Sequence, residues 1–340
     1  MNINENLYPI KSWSNIQSDN IKHDNSVAVI MRTKNRPVLL ARALESVIQQ
    51  TYTNWHLYLI NDGGDAQPVN QLIELNFIDL NHKITIIHNT HSLGMEAASN
   101  CGFNIANQEY LVVHDDDDAW HPDFLKETVT FLNTEQQAVA VLTNCTIINE
   151  EIQEDQSTQL STIQWPIWHD QIDITTLIRN NVSPPICLLI RMDVAKQVGE
   201  FNKNLPVLGD WDYILRLFRA GEIKTLNKNL AYYYHRPNNN NTYGNSVIAA
   251  IDKHQKYHVE FRNSLVRQSI LENQGNYGIL HILLNDSKEK YDLLSHKINQ
   301  LDHKIGDIQG HVYYLRRKSF PLKRFAASIR QLIRKWRHKT

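Results

Sequence analysis

The stretch VAVIMRTKNRPVLLARALESVIQQTYTNWHLYLINDGG, residues 27–64, predicts a strand, a helix and a second strand in close succession. The apolar runs at residues 27–31 and 55–60 are typical of buried strands. Between them, Pro37 suits the first position of a helix that continues to residue 50, and apolar residues recur three and four apart along it. A unit of this kind indicates a parallel sheet covered by helices.

The same alternation continues along the chain. It predicts further strands at residues 84–88, 110–114, 138–143, 187–191 and 231–235, and helices at residues 94–106, 122–132 and 210–220. The predicted fold class is therefore α/β, with a mostly parallel sheet flanked by helices and a C-terminal helical extension. The predicted divisions are an N-terminal lead-in (1–25), a compact domain (26–245) and the extension (246–340).

Composition is ordinary for a soluble globular protein. The chain has 340 residues, of which 42% are hydrophobic and 21% charged. Its three cysteines are far apart and show neither metal-ligand spacing nor a disulfide framework, so we expect a reducing compartment, the cytoplasm. The first residues do not resemble a signal peptide, and no apolar run approaches the length of a membrane span.

Four consecutive aspartates, Asp115 to Asp118, follow directly on the predicted strand at 110–114. Carboxylates at this density raise one another's pKa or recruit a cation. Hard oxygen ligands select Mg²⁺, Mn²⁺ or Ca²⁺, and an EF-hand loop is excluded because its glycine is missing. A solvated acidic loop is the alternative interpretation. We favour a metal because other polar clusters also lie at strand ends.

Those clusters occupy residues 32–36, 61–65 and 89–94, each directly after a predicted strand. Alone, the first could be a helix cap and the second a tight turn. Because the carboxyl ends of parallel strands meet at one edge of a sheet, the clusters and the aspartates are expected to form one pocket. The chain has neither the Gly-rich dinucleotide fingerprint nor a P-loop, which argues against those two classes of nucleotide site.

Three segments together resemble family 2 of the inverting glycosyltransferases, which have the GT-A fold. They are residues 27–64, the aspartates followed by Trp120 and Pro122, and VGEFNKNLPVLGDWDYILR at 198–216. The resemblance covers roughly residues 25–245. It implies Mn²⁺ or Mg²⁺ as cofactor and a nucleotide-sugar donor, expected to be a UDP-sugar. It also implies a glycan or lipid-linked acceptor and a role in bacterial surface-polysaccharide or glycolipid synthesis.

The resemblance also implies roles for individual residues. Asp115 and Asp117 match the family's Asp-x-Asp motif, with Asp117 the expected direct metal ligand. The extra aspartates leave the register open by one, so Asp116 or Asp118 could substitute. The implied donor-binding residues are Thr33, Asn35 and Arg36 for the nucleotide, Asp62 for the base, and Asn89, Gly94 and Asn100 for the sugar side.

The general base implied by the resemblance is Asp210, with Asp212 as second candidate or helix cap. The family's usual acidic residue before it is Gly209 here, which keeps open a catalytically silent, nucleotide-sugar-binding scaffold subunit. A nucleotidyltransferase is the other alternative, although its Gly-rich, Arg-containing loop is missing. Arg216 is a candidate for supporting a phosphate or a carboxylate, or for a surface ion pair. His235 and Arg236 end a predicted strand and are candidates for contacting the diphosphate, or for a solvated pair.

The C-terminal part carries a heptad seam and a basic tail. Apolar residues alternate three and four apart over 291–315, which predicts a homodimer or a helical hairpin. Residues 311–340 contain ten Lys and Arg and no acidic residue, leaving residues 1–310 with a net charge of −11. We expect Pro321 to end the helix. The next helix is expected to lie on an anionic surface, the inner face of the cell membrane, or to pack on the compact domain. No nucleic-acid recognition motif is present, and no nucleic-acid partner is expected.

Overall fold

The computed structural model describes residues 23–153, 156–166, 168, 170–237, 244, 251–273 and 275–337. The chain divides into two compact units, with the division between Glu260 and Phe261. A nine-stranded sheet lies in the first unit, and the second is helical.

Four parallel strands in the order β3-β2-β1-β4 form the first half of the sheet. Both central strands, β1 and β4, are almost wholly buried, as their unbroken apolar runs predict. The strand ends lie in register: Arg32 pairs with Asp115, and Asn61 pairs with both Thr33 and His88. The polar residues that follow therefore share one edge of the sheet. These strands are β1 (Val27–Thr33), β2 (Trp55–Asn61), β3 (Ile84–His88) and β4 (Tyr110–Asp115).

The second half of the sheet is mixed. β8 lies between β4 and β6 and is antiparallel to both, while β9 is parallel to β6. Because β6 and β9 run in the same direction as the first four strands, only β5, β7 and β8 are reversed among the described residues. The predicted fold class is confirmed. The additional strands are β5 (Ala119–Trp120), β6 (Ala138–Gln153), β7 (Gln156–Gln164), β8 (Leu188–Arg191) and β9 (Glu222–His235).

The hairpin formed by the end of β6 and by β7 differs from the sequence prediction, in which β6 ended at residue 143 and an irregular region began near residue 150. β7 is exposed along its whole length, so it lacks the alternation of a half-buried strand. Its backbone pairing with β6 defines it instead.

The four helices predicted for the first unit are present, with ends that differ by a few residues, and three further helices in the described part of the chain were not predicted. α2 was not predicted, because only Val69 and Ile73 are buried along it and the apolar stripe is too sparse. The helices of the first unit include α1 (Pro37–Ile48), α2 (Ala66–Asn76), α3 (Met95–Ile105), α4 (Phe124–Thr134), α5 (Ile174–Arg179), α6 (Met192–Val198) and α7 (Gly209–Ala220), and α8 (Ile251–Glu272) follows them.

The second unit contains the 63-residue helix α9 (Gly275–Arg337). The prediction that Pro321 ends this helix is wrong, because the helix continues through that position. A proline removes one backbone hydrogen bond, and a long helix can resume on its next turn. Within the described residues, every helix is too short or too polar to cross a membrane.

Candidate functional site

Two adjoining cavities open at the carboxyl edge of β1, β2 and β4. Their empty volumes, open mouths included, are about 520 and 600 Å³. Residues lining the first, which we call the Asp62 cavity, include Arg32, Thr33, Arg36, Asp62, Gly94 and Asp115. Residues lining the second, which we call the Asp210 cavity, include Arg32, Glu96, Asp115, Leu208, Asp210 and Tyr233. The wall common to both contains Arg32, Met95 and Asp115.

The carboxylate of Asp62 organises the loop after β3. Its Oδ1 accepts hydrogen bonds from Asn89 Nδ2 (2.9 Å) and from the Leu93 amide (2.8 Å). Its Oδ2 accepts from Ser92 Oγ (2.7 Å) and from the Gly94 amide (3.1 Å). Burial pushes the pKa of Asp62 upwards, but these four donors outweigh it and lower the pKa below its usual value. Asp62 is therefore an ionised anchor for this wall of the cavity.

The loops after β1 and β2 are tied together beside Asp62. Asn35, at a left-handed φ of 54°, accepts a hydrogen bond from the Asp65 amide at 2.8 Å. Gly63 has a φ of 73°, and a Cβ there would stand 2.3 Å from the Ser92 backbone nitrogen. Only glycine permits this conformation and this close approach of two backbones. Asn35 therefore shapes the cavity through the backbone of the neighbouring loop.

The four aspartates at the end of β4 and directly after it differ in their partners. Asp115 forms an ion pair with Arg32, and Asp116 forms one with Arg36. Asp117 is paired with Arg236, and Arg36 lies 3.5 Å from it as well. Asp118 accepts a hydrogen bond from the Tyr234 amide at 2.9 Å.

The pKa values of these aspartates differ because their partners differ. Burial raises the pKa of Asp116 to about 6 despite the opposing effect of Arg36. Burial also raises the pKa of Asp118 well above its usual value, and the charge of Asp117 adds to the rise. In Asp117, burial is outweighed by Arg36 and Arg236, and the pKa is lowered. Asp117 is thus well suited to remain ionised.

Behind the cavity wall lies a buried ionic network. Arg236 is fully buried and donates to Glu150 Oε1 at 2.8 Å as well as pairing with Asp117. Arg42 donates to Glu150 Oε2 at 2.7 Å and to the backbone oxygen of Asp117 at 2.7 Å. The guanidinium of Arg42 also lies 3.5 Å from the centroid of the Tyr234 ring. This network fixes the aspartate turn against β6 and β9.

The fit of a divalent ion follows from this arrangement. Among the described residues, no group of three acidic, histidine or cysteine side chains could hold an ion alone. Asp115 nevertheless lines both cavities. One or two carboxylates suit Mg²⁺ when substrate phosphates supply further ligands. The residues therefore fit an ion that binds together with a phosphorylated ligand.

Asp210 stands at the start of α7 and lines the second cavity. Its Oδ2 accepts a hydrogen bond from Asn181 Nδ2 at 2.6 Å, and its Oδ1 accepts from the Trp211 amide at 2.9 Å. Burial raises the pKa of Asp210, which these two donors partly oppose. A carboxylate with a raised pKa is a stronger proton acceptor when ionised. Asp210 thus has the setting of a general base.

Several predicted site residues make structural contacts instead of lining either cavity. Asp212 accepts from Arg216 Nε at 2.9 Å, and Arg216 also donates to the backbone oxygens of Val198 and Glu200. Asn100 exchanges two hydrogen bonds of 2.9 Å with the backbone of Phe201.

Two more predicted residues contact residues that line the cavities. Asn89 supports Asp62, as described above. The His235 ring packs edge-on against Tyr233, which lines the Asp210 cavity. Burial lowers the pKa of His235, which favours its neutral form.

Sequence reasoning missed two charged residues of the site, Glu96 and Glu150. It placed Arg32 in the polar cluster at residues 32–36 but did not predict that Arg32 pairs with Asp115. Glu150 and Arg236 are separated by 86 positions and meet only because β6 and β9 pair. Glu96 resembles an ordinary first-turn acidic residue of a helix, and only the fold shows that it is buried.

Comparisons with known proteins give a consistent result. The sequence model of the family described as Glycosyl transferase family 2 matches residues 28–199. An uncharacterized glycosyltransferase of Haemophilus influenzae is 27% identical over 199 residues, covering 57% of this chain and 61% of the relative. A putative colanic acid biosynthesis glycosyl transferase, WcaA of Escherichia coli K12, is 34% identical over 121 residues, covering 35% and 41%. The matches thus span less than two thirds of these relatives' lengths.

A solved structure of similar fold is a TarS fragment of S. aureus in complex with UDP. It superposes with a TM-score of 0.50 at 16% identity and covers 62% of this chain and 61% of the fragment. The same protein with UDP-GlcNAc also superposes with a TM-score of 0.50. At this level of identity the likeness establishes the GT-A-like fold.

Proposed function

This chain belongs to glycosyl transferase family 2, and we propose that it transfers a sugar from a nucleoside-diphosphate donor to an acceptor hydroxyl in the synthesis of a surface polysaccharide or glycolipid. The observation that carries this proposal is the pair of cavities with a common wall. One is built around an ionised anchor and several cations, and the other holds a buried candidate base. The reacting bond would lie at the common wall of Arg32, Met95 and Asp115.

The Asp62 cavity suits the donor. Arg32, Lys34 and Arg36 line it, so two phosphate groups would meet positive charge there. Gly94 also contributes to its lining and leaves the backbone open to close approach by a ligand. A UDP-sugar is the donor we propose, in keeping with the UDP and UDP-GlcNAc complexes of the protein of similar fold.

We further propose that Mn²⁺ or Mg²⁺ binds with the donor. Asp115 would hold the ion from the common wall, and Asp117, held by Arg236 behind it, would be the second ligand or would position Asp115. When bound, the ion supplies Lewis-acid stabilisation to the departing diphosphate. Arg32 and Arg36 provide fixed positive charge on the same side.

Transfer would proceed as a single displacement. The acceptor oxygen forms a bond to the anomeric carbon, the bond from that carbon to the diphosphate oxygen breaks, and the hydroxyl proton passes to Asp210. Because attack comes from the side opposite the leaving group, the anomeric configuration inverts. Asn181, which donates to Asp210 Oδ2, orients the carboxylate for this step. The burial that raises the pKa of Asp210 makes the carboxylate a stronger base.

Release of nucleoside diphosphate tests the proposal. The purified chain is incubated with UDP-, GDP- and dTDP-sugars, with Mn²⁺ or with EDTA, and free nucleotide is measured. We expect release from a UDP-sugar that depends on Mn²⁺ and is lost in Asp210→Asn. Pyrophosphate release would instead indicate a nucleotidyltransferase. Binding of UDP-sugars without turnover would indicate a scaffold subunit.

The second unit suggests a dimer. The eight apolar residues of the 291–315 seam on α9 are each 50–71% exposed: Tyr291, Leu294, Ile298, Leu301, Ile305, Ile308, Val312 and Leu315. We propose that a second copy covers this seam as a coiled coil. Light scattering should give a dimer mass for the wild type and a monomer mass for Leu301→Lys, while Asn299→Lys, off the seam, should remain dimeric. A monomeric wild type would refute the proposal.

The basic end of α9 suggests a surface for anionic lipid. Seven of its cations are Arg316, Arg317, Lys318, Arg324, Arg330, Arg334 and Lys335, and Phe325 and Ile329 are exposed among them. We propose that this segment lies on the inner face of the cell membrane, near a lipid-linked acceptor. Sedimentation with vesicles should show binding to phosphatidylglycerol and none to phosphatidylcholine, and equal binding to both would refute a charge-based contact.

A further inference from the structure

The Asp210 cavity contains a second carboxylate. Glu96 lies in the first turn of α3, is only 7% exposed and lines the cavity with Asp210. Acidic residues at this helical position are ordinarily solvated. Here the side chain points into the protein, and the mechanism above assigns it no role.

The space that Glu96 occupies exists because residue 209 is glycine. A Cβ on Gly209 would lie 2.2 Å from the carboxyl carbon of Glu96 and 2.3 Å from its Oε1. The backbone does not require glycine there, since the φ of Gly209 is outside the left-handed range in which side chains are strained. Glycine at this position therefore serves to admit the carboxyl group of Glu96 beside the start of α7.

The electrostatic setting is that of a functional carboxylate. Burial raises the pKa of Glu96 to about 7, Arg32 opposes the rise, and Asp210 adds to it. A buried carboxyl group with a perturbed pKa that lines a cleft is a candidate for a functional residue. The lining of the Asp210 cavity holds three carboxyl groups, those of Glu96, Asp115 and Asp210, and the guanidinium of Arg32, a balance that disfavours an anionic ligand.

We propose that Glu96 is a second acceptor-binding carboxylate, which accepts a hydrogen bond from a neighbouring hydroxyl of the acceptor while Asp210 takes the proton of the attacking one. The inference rests on the proposed function and adds a substrate class to it. The acceptor is a neutral, hydroxyl-rich sugar unit, not a phosphorylated group. The carboxylate enters from α3 in place of any side chain at position 209 on α7.

Four variants separate this role from a structural one. Glu96→Gln removes charge at nearly constant shape, and Glu96→Ala removes the carboxyl group. Gly209→Ala places a methyl group where the Glu96 carboxyl group lies, so it should have the same effect on the glycoside KM as Glu96→Ala. In a chain that already carries Glu96→Ala, it should change the glycoside KM little further. The double variant Glu96→Ala/Gly209→Glu returns a carboxylate to the cavity from the other helix. Glu74→Gln, exposed on α2, is the control.

The assay uses the donor identified by nucleotide release, with a panel of neutral methyl glycosides or glycerol 3-phosphate as acceptor probe. We expect a methyl glycoside to stimulate release and glycerol 3-phosphate to leave it unchanged. Glu96→Gln should raise the KM for the glycoside about tenfold, because a hydrogen bond to a charged carboxylate is replaced by a weaker one to a neutral amide oxygen. The KM for the donor, which binds in the Asp62 cavity, should stay within about twofold of wild type. The double variant should recover most of the loss.

The inference is overturned if Glu96→Gln leaves the glycoside KM unchanged, raises the donor KM equally, or is not rescued by the carboxylate at position 209. Stimulation by glycerol 3-phosphate alone would also overturn it. A wild type that hydrolyses no donor would overturn the proposed function and this inference together. If the wild type is active and Glu96→Gln leaves the glycoside KM unchanged, only the inference is overturned.

Discussion

Replacing Asp62 should loosen one wall of the donor cavity. Its carboxylate accepts four hydrogen bonds, two from side chains and two from the backbone amides of Leu93 and Gly94. Asp62→Ala leaves all four donors without this acceptor. Asp62→Asn keeps one acceptor oxygen but turns an NH₂ group towards two donors, so it retains about half of the contacts.

The magnitude follows from the two backbone amides. A buried donor left unsatisfied costs about 1–3 kcal/mol, and hydrogen bonds to charged groups contribute towards the upper end of that range. Because the site borders a cavity that water can enter, we expect about 3 kcal/mol for Asp62→Ala, in the lower half of the sum for the two amides, and about 2 kcal/mol for Asp62→Asn.

Urea unfolding measures these free energies, and titration with UDP measures the effect on the cavity. Asp65→Ala is the control. The Asp65 side chain caps α2 by accepting from the Gln67 amide, so the variant should lose about 1 kcal/mol, and it keeps the backbone amide that donates to Asn35. UDP affinity should fall in both Asp62 variants and stay close to wild type in Asp65→Ala. A loss below about 1 kcal/mol in Asp62→Ala with unchanged UDP affinity would refute the reasoning.

The pH dependence of the same variants gives an independent check. The folded-state pKa of Asp62 is lowered, so its contribution is fully present above the unfolded value of about 3.9 and is lost as pH falls through the lower folded value. The difference in unfolding free energy between wild type and Asp62→Asn should therefore shrink below about pH 4. A difference that stays constant down to pH 2 would show that the charge of Asp62 does not matter.

Three other variants test the remaining parts of the site. Arg236→Met should lower the free energy of unfolding in urea by about 3–5 kcal/mol, because it leaves Asp117 and Glu150 buried without their shared partner. A loss below about 1 kcal/mol would show that the buried ionic network does not stabilise the fold. Asp210→Asn should bind UDP as wild type does but release no nucleotide, and near-normal turnover would identify another base. Asp115→Asn should abolish the gain in UDP affinity that Mn²⁺ produces, and an undiminished gain would remove Asp115 as a ligand.

The strand framework was predictable because its signal is local. The buried runs of β1 and β4 are unbroken apolar sequences, and the parallel topology then places residues 33, 62 and 115 at one edge. β7 was not predictable, because its exposed side chains carry no periodic pattern and only pairing with β6 defines it. The length of α9 was underestimated because a proline was treated as a certain helix end.

The pairing of charges within the site could not be predicted in the same way. The sequence shows four adjacent aspartates, but it does not show that a different partner meets each of Asp115, Asp116 and Asp117. Nor does it show that Glu96 turns inward, since that depends on the space beside Gly209. Both facts depend on contacts between residues at least 80 positions apart.

A crystal structure with UDP and Mn²⁺ tests the central claim most directly. The account predicts the nucleotide in the cavity lined by Arg36 and Asp62, with its diphosphate directed towards Asp115 and an ion between them. Nucleotide bound elsewhere on the chain, or a diphosphate directed away from Asp115, would contradict it.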